Sequence, residues 1–285
     1  MYHENSKGYL VLIGGAEDRK GEKIVLQKIV NLNKAKNIAV IPTATNYPHA
    51  CGEDYFYAFK ELGVETINVL DIRETKEADT PENFKMIEQA DVIFFTGGDQ
   101  VKLVNVLNNT QLISLITKQF YNGVTIAGTS AGAAAASNPM IFDGDTQSLL
   151  KGTVNAGQGF GFIKDITIDT HFVARGRIGR LTQFLFSQNI KRGIGIGENT
   201  AVVINALDFF EVVGTGIVSV IDISEVSYSN YNIINNNDRI SINGIKAGFL
   251  QAGCIFNMNK WDVECCDPVN ALCAKMDRTE GIYRP

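Results

Sequence analysis

Val124-Thr125-Ile126-Ala127-Gly128-Thr129-Ser130-Ala131-Gly132 is an apolar run that stops in a glycine-serine turn and opens onto an alanine-rich segment. The run is continuously apolar rather than alternating, as in a strand covered on both faces inside a parallel sheet. The turn has the pattern G-x-S-x-G. Its glycines permit a sharp strand-to-helix bend, which lifts the serine hydroxyl above the C-terminal edge of the sheet. The next backbone N–H, on Ala131, can then face a developing oxyanion. The bland alternative is a tight Gly-Ser turn with no chemistry.

Runs of the same kind lie upstream. Tyr9 to Ile13 leads into Gly14-Gly15, and Asn37 to Ile41 leads into Pro42-Thr43. Thr66 to Leu70 ends at Asp71, and Val92 to Phe95 ends at Thr96-Gly97-Gly98. Helical patterns fill the gaps: Lys20 to Asn33, Asp54 to Leu62, Pro81 to Gln89, Gln100 to Asn108 and Gln111 to Tyr121. Thr80 is a natural N-cap for the third, with Pro81 at its first position. This alternation predicts an α/β fold with a doubly wound, mostly parallel sheet over residues 9 to 205. Beyond about residue 205, Phe209 to Ile223 and Arg239 to Leu250 read as hairpins. The second contains the turn pair Asn243-Gly244. Tyr228 to Asp238 reads as an Asn-rich loop. One catalytic domain over 1–285 is expected, with an antiparallel extension at about 206–250 and residues 251–285 unassigned.

Composition narrows the function classes. Of 285 residues, 45% are hydrophobic and 20% charged, ample apolar material for a folded core. The net charge is −5, which argues against nucleic acid, because phosphate contacts need a basic face. Phe209 to Ile223 is the longest apolar stretch; it is interrupted by Glu211 and falls short of the roughly 18 residues a membrane span needs. The N-terminal Met1-Tyr2-His3-Glu4-Asn5-Ser6-Lys7 is polar and has no apolar signal core. A cytoplasmic protein without membrane contact is therefore expected. The five cysteines (Cys51, Cys254, Cys265, Cys266, Cys273) show no C-x-x-C spacing and read as free thiols. A zinc site in the C-terminal group is disfavoured, and neither metal nor cofactor is expected. Asp143-Gly144-Asp145 lacks the further ligands of a calcium loop. Gly14-Gly15-Ala16-Glu17-Asp18-Arg19 resembles a nucleotide loop only loosely, with neither G-x-G-x-x-G nor a Walker A pattern.

A reactive serine needs a base, and the chain has three histidines. His3 belongs to the polar N-terminus, and His49 follows Asn46-Tyr47-Pro48 in what reads as a loop. His171 closes the apolar run Ile166 to Thr170, at the strand edge where α/β sites collect. The run Ile194 to Gly197 ends similarly at Glu198, so Glu198 and His171 can meet and the acid can orient the imidazole. The order serine, histidine, acid differs from that of the α/β-hydrolases. Gly98, at the end of the preceding strand, can supply a second oxyanion donor. Asp99 and Gln100 can touch substrate, although Asp99 can equally cap the following helix. Arg175, Arg177 and Arg180 place three guanidiniums beside the base, suited to binding carboxylates; the alternative is a solvated helix face.

Six motifs in this order resemble a known family. They are Gly14 to Arg19, Ile41-Pro42-Thr43-Ala44, Phe95 to Gln100, Gly128 to Ala133, Asp169-Thr170-His171-Phe172 with the three arginines, and Gly197 to Ala201. Over roughly residues 9 to 250 the chain is similar to the cyanophycinases, within a serine peptidase family that also holds α-aspartyl dipeptidases. The resemblance implies a class I glutamine-amidotransferase-like fold and a homodimer. It implies hydrolysis of cyanophycin, a poly-aspartate whose side chains each carry an arginine, to β-Asp-Arg dipeptides. It makes Ser130 the nucleophile, His171 the base and Glu198 the orienting acid. It also places Gln100, Asp169, Arg175, Arg177 and Arg180 where the family binds substrate; Asp99 and Thr170 are further candidate substrate contacts, and the N–H groups of Gly98 and Ala131 are the expected oxyanion hole. Thr170 departs from the glutamine often found there in the family. An α-aspartyl dipeptidase and a non-catalytic amidotransferase-like binding module are the alternatives carried forward.

Overall fold

The structure is a computed structural model that describes residues 6–144 and 149–266; His3, Asp145 and Cys273 lie outside this range. The first half runs β1 (Leu10–Ile13), α1 (Ile24–Leu32), β2 (Asn37–Ile41), α2 (Pro48–Glu61), β3 (Thr66–Val69), a 3-10 turn (Thr75–Glu77), α3 (Pro81–Glu88), β4 (Val92–Phe95), α4 (Gln100–Leu107), α5 (Gln111–Asn122), β5 (Thr125–Thr129) and α6 (Ala131–Ala134). Then follow β6 (Met140–Gly144), β7 (Val154–Gly157), β8 (Ile166–Asp169), α7 (Ile178–Gln188), β9 (Arg192–Ile196), β10 (Thr200–Ile204), β11 (Phe209–Gly214) and β12 (Val218–Asp222). The last elements are β13 (Tyr228–Ser229), β14 (Ile242–Asn243), β15 (Lys246–Leu250), β16 (Cys254–Asn257) and β17 (Asp262–Cys266).

The fold is mixed α/β around a nine-stranded sheet in the order β17-β16-β11-β10-β1-β5-β4-β2-β3. From β1 to β3 every pairing is parallel, and from β1 to β17 every pairing is antiparallel. Alternate residues of the buried strands serve opposite faces. Val11, Ile13, Val40, Phe94 and Ala127 pack on α1 and α2. Leu10, Leu12, Ile93, Phe95 and Ile126 face α4, α5 and a second sheet. Helices thus cover both faces of the parallel half, as the apolar runs predict.

Three expectations are corrected. The strands before His171 and Glu198 leave the main sheet: β8 and β9 pair parallel in a four-stranded sheet of order β15-β12-β9-β8. The expected hairpins do not form either. β11 pairs with β10 and β16 while β12 pairs with β9 and β15, so residues 209–223 bridge the two sheets. β11 buries most of one face in its layer and β12 is buried on both, and that burial outweighs local pairing. Gly214 makes the departure possible: its φ is 113°, and a Cβ there would come within 2.2 Å of the Asn199 carbonyl. Likewise β14 joins β13 while β15 joins β12. The third correction is to the cysteines. Cys254 and Cys266 sit directly opposite each other across β16 and β17, and their sulfurs are joined. Antiparallel register brings together two residues whose sequence spacing gives no such signal.

Candidate active site

Ser130 follows β5 with φ 50° and ψ −106°, outside the regions a non-glycine residue normally occupies. This is the sharp elbow that G-x-S-x-G predicts. The two glycines earn their places by close approach. A Cβ on Gly128 would lie 2.5 Å from Gly132, and one on Gly132 would lie 2.5 Å from the Phe95 carbonyl. Only bare backbone lets α6 sit this tightly on β4 and β5.

His171 stands at the end of β8 and Glu198 just after β9, so the histidine and the glutamate come from the small sheet and the serine from the large one. Ser130 Oγ is 2.9 Å from His171 Nε2. His171 Nδ1 is 2.7 Å from Glu198 Oε1. The imidazole side chain is 12% exposed and the Glu198 side chain 42%, so the relay opens to solvent at its acid end. His49, predicted on a loop, lies on α2 and faces Glu53 at 3.5 Å instead; Pro48 at the first helical position starts that helix earlier than the apolar pattern suggests.

The loop after β1 holds the three groups together. The His171 N–H donates to the Gly14 carbonyl at 2.8 Å, and the Asn199 N–H donates to the Gly15 carbonyl at 2.9 Å. The Asp18 N–H donates to Asn199 Oδ1 at 2.9 Å. Gly14 itself lies so close to the Gly197 carbonyl that a Cβ would reach 2.0 Å. Asp18 then folds back, its carboxylate accepting from the N–H groups of Lys20, Gly21 and Lys23. Those donors, Gly21 first, pull its pKa down to about 2.

Beside the serine, Gly98 adopts φ 144°, and its Cβ position is filled by the Ala44 carbonyl at 2.3 Å. The Asp99 N–H donates to that carbonyl at 2.9 Å, which anchors the turn. Among the described residues neither Gly98 nor Ala131 gives its N–H to another protein group. Asp99 caps α4 through the N–H groups of Val101 and Lys102. Gln100 Nε2 donates to the carbonyls of Ile141 and Phe142 at 3.1 and 3.3 Å, tying β6 to α4.

The arginine cluster divides. Arg175 is exposed, whereas Arg177 and Arg180 turn inward and both reach Asp169 Oδ1 at 3.3 Å. Arg177 also donates to the Thr170 carbonyl at 2.7 Å. Asp169 is 1% exposed, and its Oδ2 has no partner among the described residues. Burial pushes the Asp169 carboxyl up, and the Arg180 and Arg177 guanidiniums only partly pull it back. Burial also holds Arg177 down, to about 10. Asp169, Arg177 and Arg180, expected to receive a substrate's guanidinium and carboxylate, are thus paired with one another, and Arg175 is the arginine of the cluster that faces solvent.

Glu17, which the sequence reading names only as part of the Gly14 to Arg19 motif and gives no role, is buried beside the elbow. Its signal was available. It is a carboxylate inside the glycine-rich loop that follows the first buried strand, at the edge where sites collect.

A strained serine elbow, an imidazole and a carboxylate in hydrogen-bonded series define a serine-type hydrolase. Residues 10–212 match peptidase family S51, and the chain belongs to that family. It is 33% identical over 252 residues to a cyanophycinase of Geminocystis herdmanii, covering 87% of this chain and 93% of the relative. It is 32% identical over 268 residues to a cyanophycinase of Synechococcus elongatus, covering 92% and 83%. The crystal structure of a peptidase from an acI-B1 actinobacterium superposes with a TM-score of 0.62 at 27% identity, covering 76% of this chain and 91% of that one. Among the described residues no helix is long and apolar enough to cross a membrane.

Proposed function

We propose that the chain hydrolyses cyanophycin to β-Asp-Arg dipeptides as a serine exopeptidase. The observation that carries this is the relay Ser130–His171–Glu198, with links of 2.9 and 2.7 Å, in a chain one-third identical to cyanophycinases over most of its length. His171 takes the hydroxyl proton as Ser130 Oγ attacks the backbone carbonyl. The N–H groups of Gly98 and Ala131 hold the oxyanion, and His171 returns the proton to the leaving amine. Water, deprotonated by His171, then cleaves the acyl-enzyme and frees the serine. Glu198 keeps the imidazole in the tautomer that accepts at Nε2.

The reading gives substrate-binding roles to Asp99, Gln100, Asp169, Thr170, Arg175, Arg177 and Arg180. Arg175 is the group free to meet a carboxylate; Asp169, Arg177 and Arg180 shape the wall beside it. It also takes the fold as the class I glutamine-amidotransferase-like variant and the working unit as a cytoplasmic homodimer. The test is release of soluble dipeptide from insoluble cyanophycin, followed by mass. Wild-type protein should clear the suspension and give β-Asp-Arg, and Ser130→Ala should not. Clearing by Ser130→Ala would refute the nucleophile. Cleavage of Asp-X dipeptides in place of the polymer would shift the substrate to the α-aspartyl class.

A further inference from the structure

Glu17 is a carboxylate 6% exposed at the foot of the catalytic elbow. Burying such a group is costly unless its oxygens are hydrogen-bonded. Both are. The Thr129 hydroxyl donates to Oε2 at 2.5 Å, and the Tyr55 hydroxyl, from α2, donates to Oε1. Burial, and then the neighbouring Glu17 charge, hold the Tyr55 phenol well above its usual range, so it stays a donor.

Thr129 is joined directly to Ser130, whose strained backbone conformation survives only if its surroundings hold it. The hold comes from one strand and its loop. The Ser130 N–H donates to the Ile13 carbonyl at 3.0 Å on one side, and the Thr129 hydroxyl donates to Glu17 on the other. The same loop carries the carbonyls of Gly14 and Gly15 that fix His171 and Asn199. Glu17 is thus where the loop that seats base and acid also grips the nucleophile's neighbour. We infer that Glu17 is a positioning residue for the reactive serine, acting through Thr129 with Tyr55 as its anchor. This rests on the reading of Ser130 as nucleophile.

The test reads serine reactivity rather than turnover of any substrate. A fluorophosphonate is titrated against the full chain, and the limiting labelling rate is separated from the half-saturating concentration. Thr129→Val, which removes one hydroxyl and keeps the volume, should lower the limiting rate tenfold or more, since small misplacements of reacting groups are expensive. The half-saturating concentration should stay within about twofold, and Thr129→Ser should restore the rate to within about threefold of wild type. Glu17→Gln should behave as Thr129→Val does. A folded Thr129→Val that labels at the wild-type rate would overturn the inference. So would failure of Thr129→Ser to restore the rate, because the loss would then come from packing. Wild-type protein that does not label at all would instead remove the nucleophile reading itself.

Discussion

Gly15 lies flat against the His171 ring: with φ 94°, a Cβ added there would come within 2.4 Å of Cε1 and 2.5 Å of Nε2. Nε2 is the atom that faces Ser130. Gly15→Ala should therefore push the imidazole off the serine while leaving the binding surface intact. A loss of kcat on the order of 100-fold is expected, with KM nearly unchanged. Steady-state kinetics check this, and crystallography of the variant should show the ring displaced.

Glu198 is the most exposed member of the relay, yet its carboxylate makes the shorter of the two links. Glu198→Gln keeps the shape but offers an amide that can present either end to Nδ1, so the correct tautomer is no longer enforced. We expect kcat to fall by roughly 10²- to 10⁴-fold. A variant within threefold of wild type would show that the imidazole is oriented by its backbone contacts alone.

Asp169 serves as counter-ion to two buried guanidiniums. Asp169→Asn would leave Arg177 and Arg180 side by side without it. Removing one partner from a buried ion cluster costs about 3–5 kcal/mol. Urea denaturation should show the midpoint falling by the corresponding amount. An unchanged midpoint would mean that the arginines swing out to solvent.

Asp18 supplies a pH dependence of definite sign. Its folded pKa of about 2 lies below the ordinary 3.8, because backbone N–H groups hold the ionised form. Stability from this source is present in full above the unfolded pKa, near 4, and is lost as pH falls through about 2. The gap in urea midpoint between wild type and Asp18→Asn should therefore close between about pH 4 and pH 2. A constant gap across that window would assign the effect to something other than the carboxylate charge.

What could be read from the amino acids follows a physical division. Continuous apolar runs such as Val92 to Phe95 signal burial on both faces, and the parallel half of the sheet came out as expected. Glycine-flanked Ser130 and strand-end His171 and Glu198 are local features, so the three were legible before their distances were known. The destination of a strand is not local. Nothing in Ile166 to Asp169 tells which layer it joins, because an apolar run buries equally well in either sheet. The inward turn of Arg177 and Arg180 was illegible for a related reason. Arginines are mostly exposed, and only the three-dimensional position of Asp169 draws these two inside.

Serine on one sheet and histidine with glutamate on another makes the Ser130–His171–Glu198 relay a property of the seam between layers. A small slide of the β8–β9 layer across the β1–β5 layer would break the 2.9 Å link while leaving every strand intact. Inactivation on heating or in denaturant should therefore run ahead of the loss of secondary structure, and reactivity at Ser130 becomes a gauge of how firmly the two layers are docked.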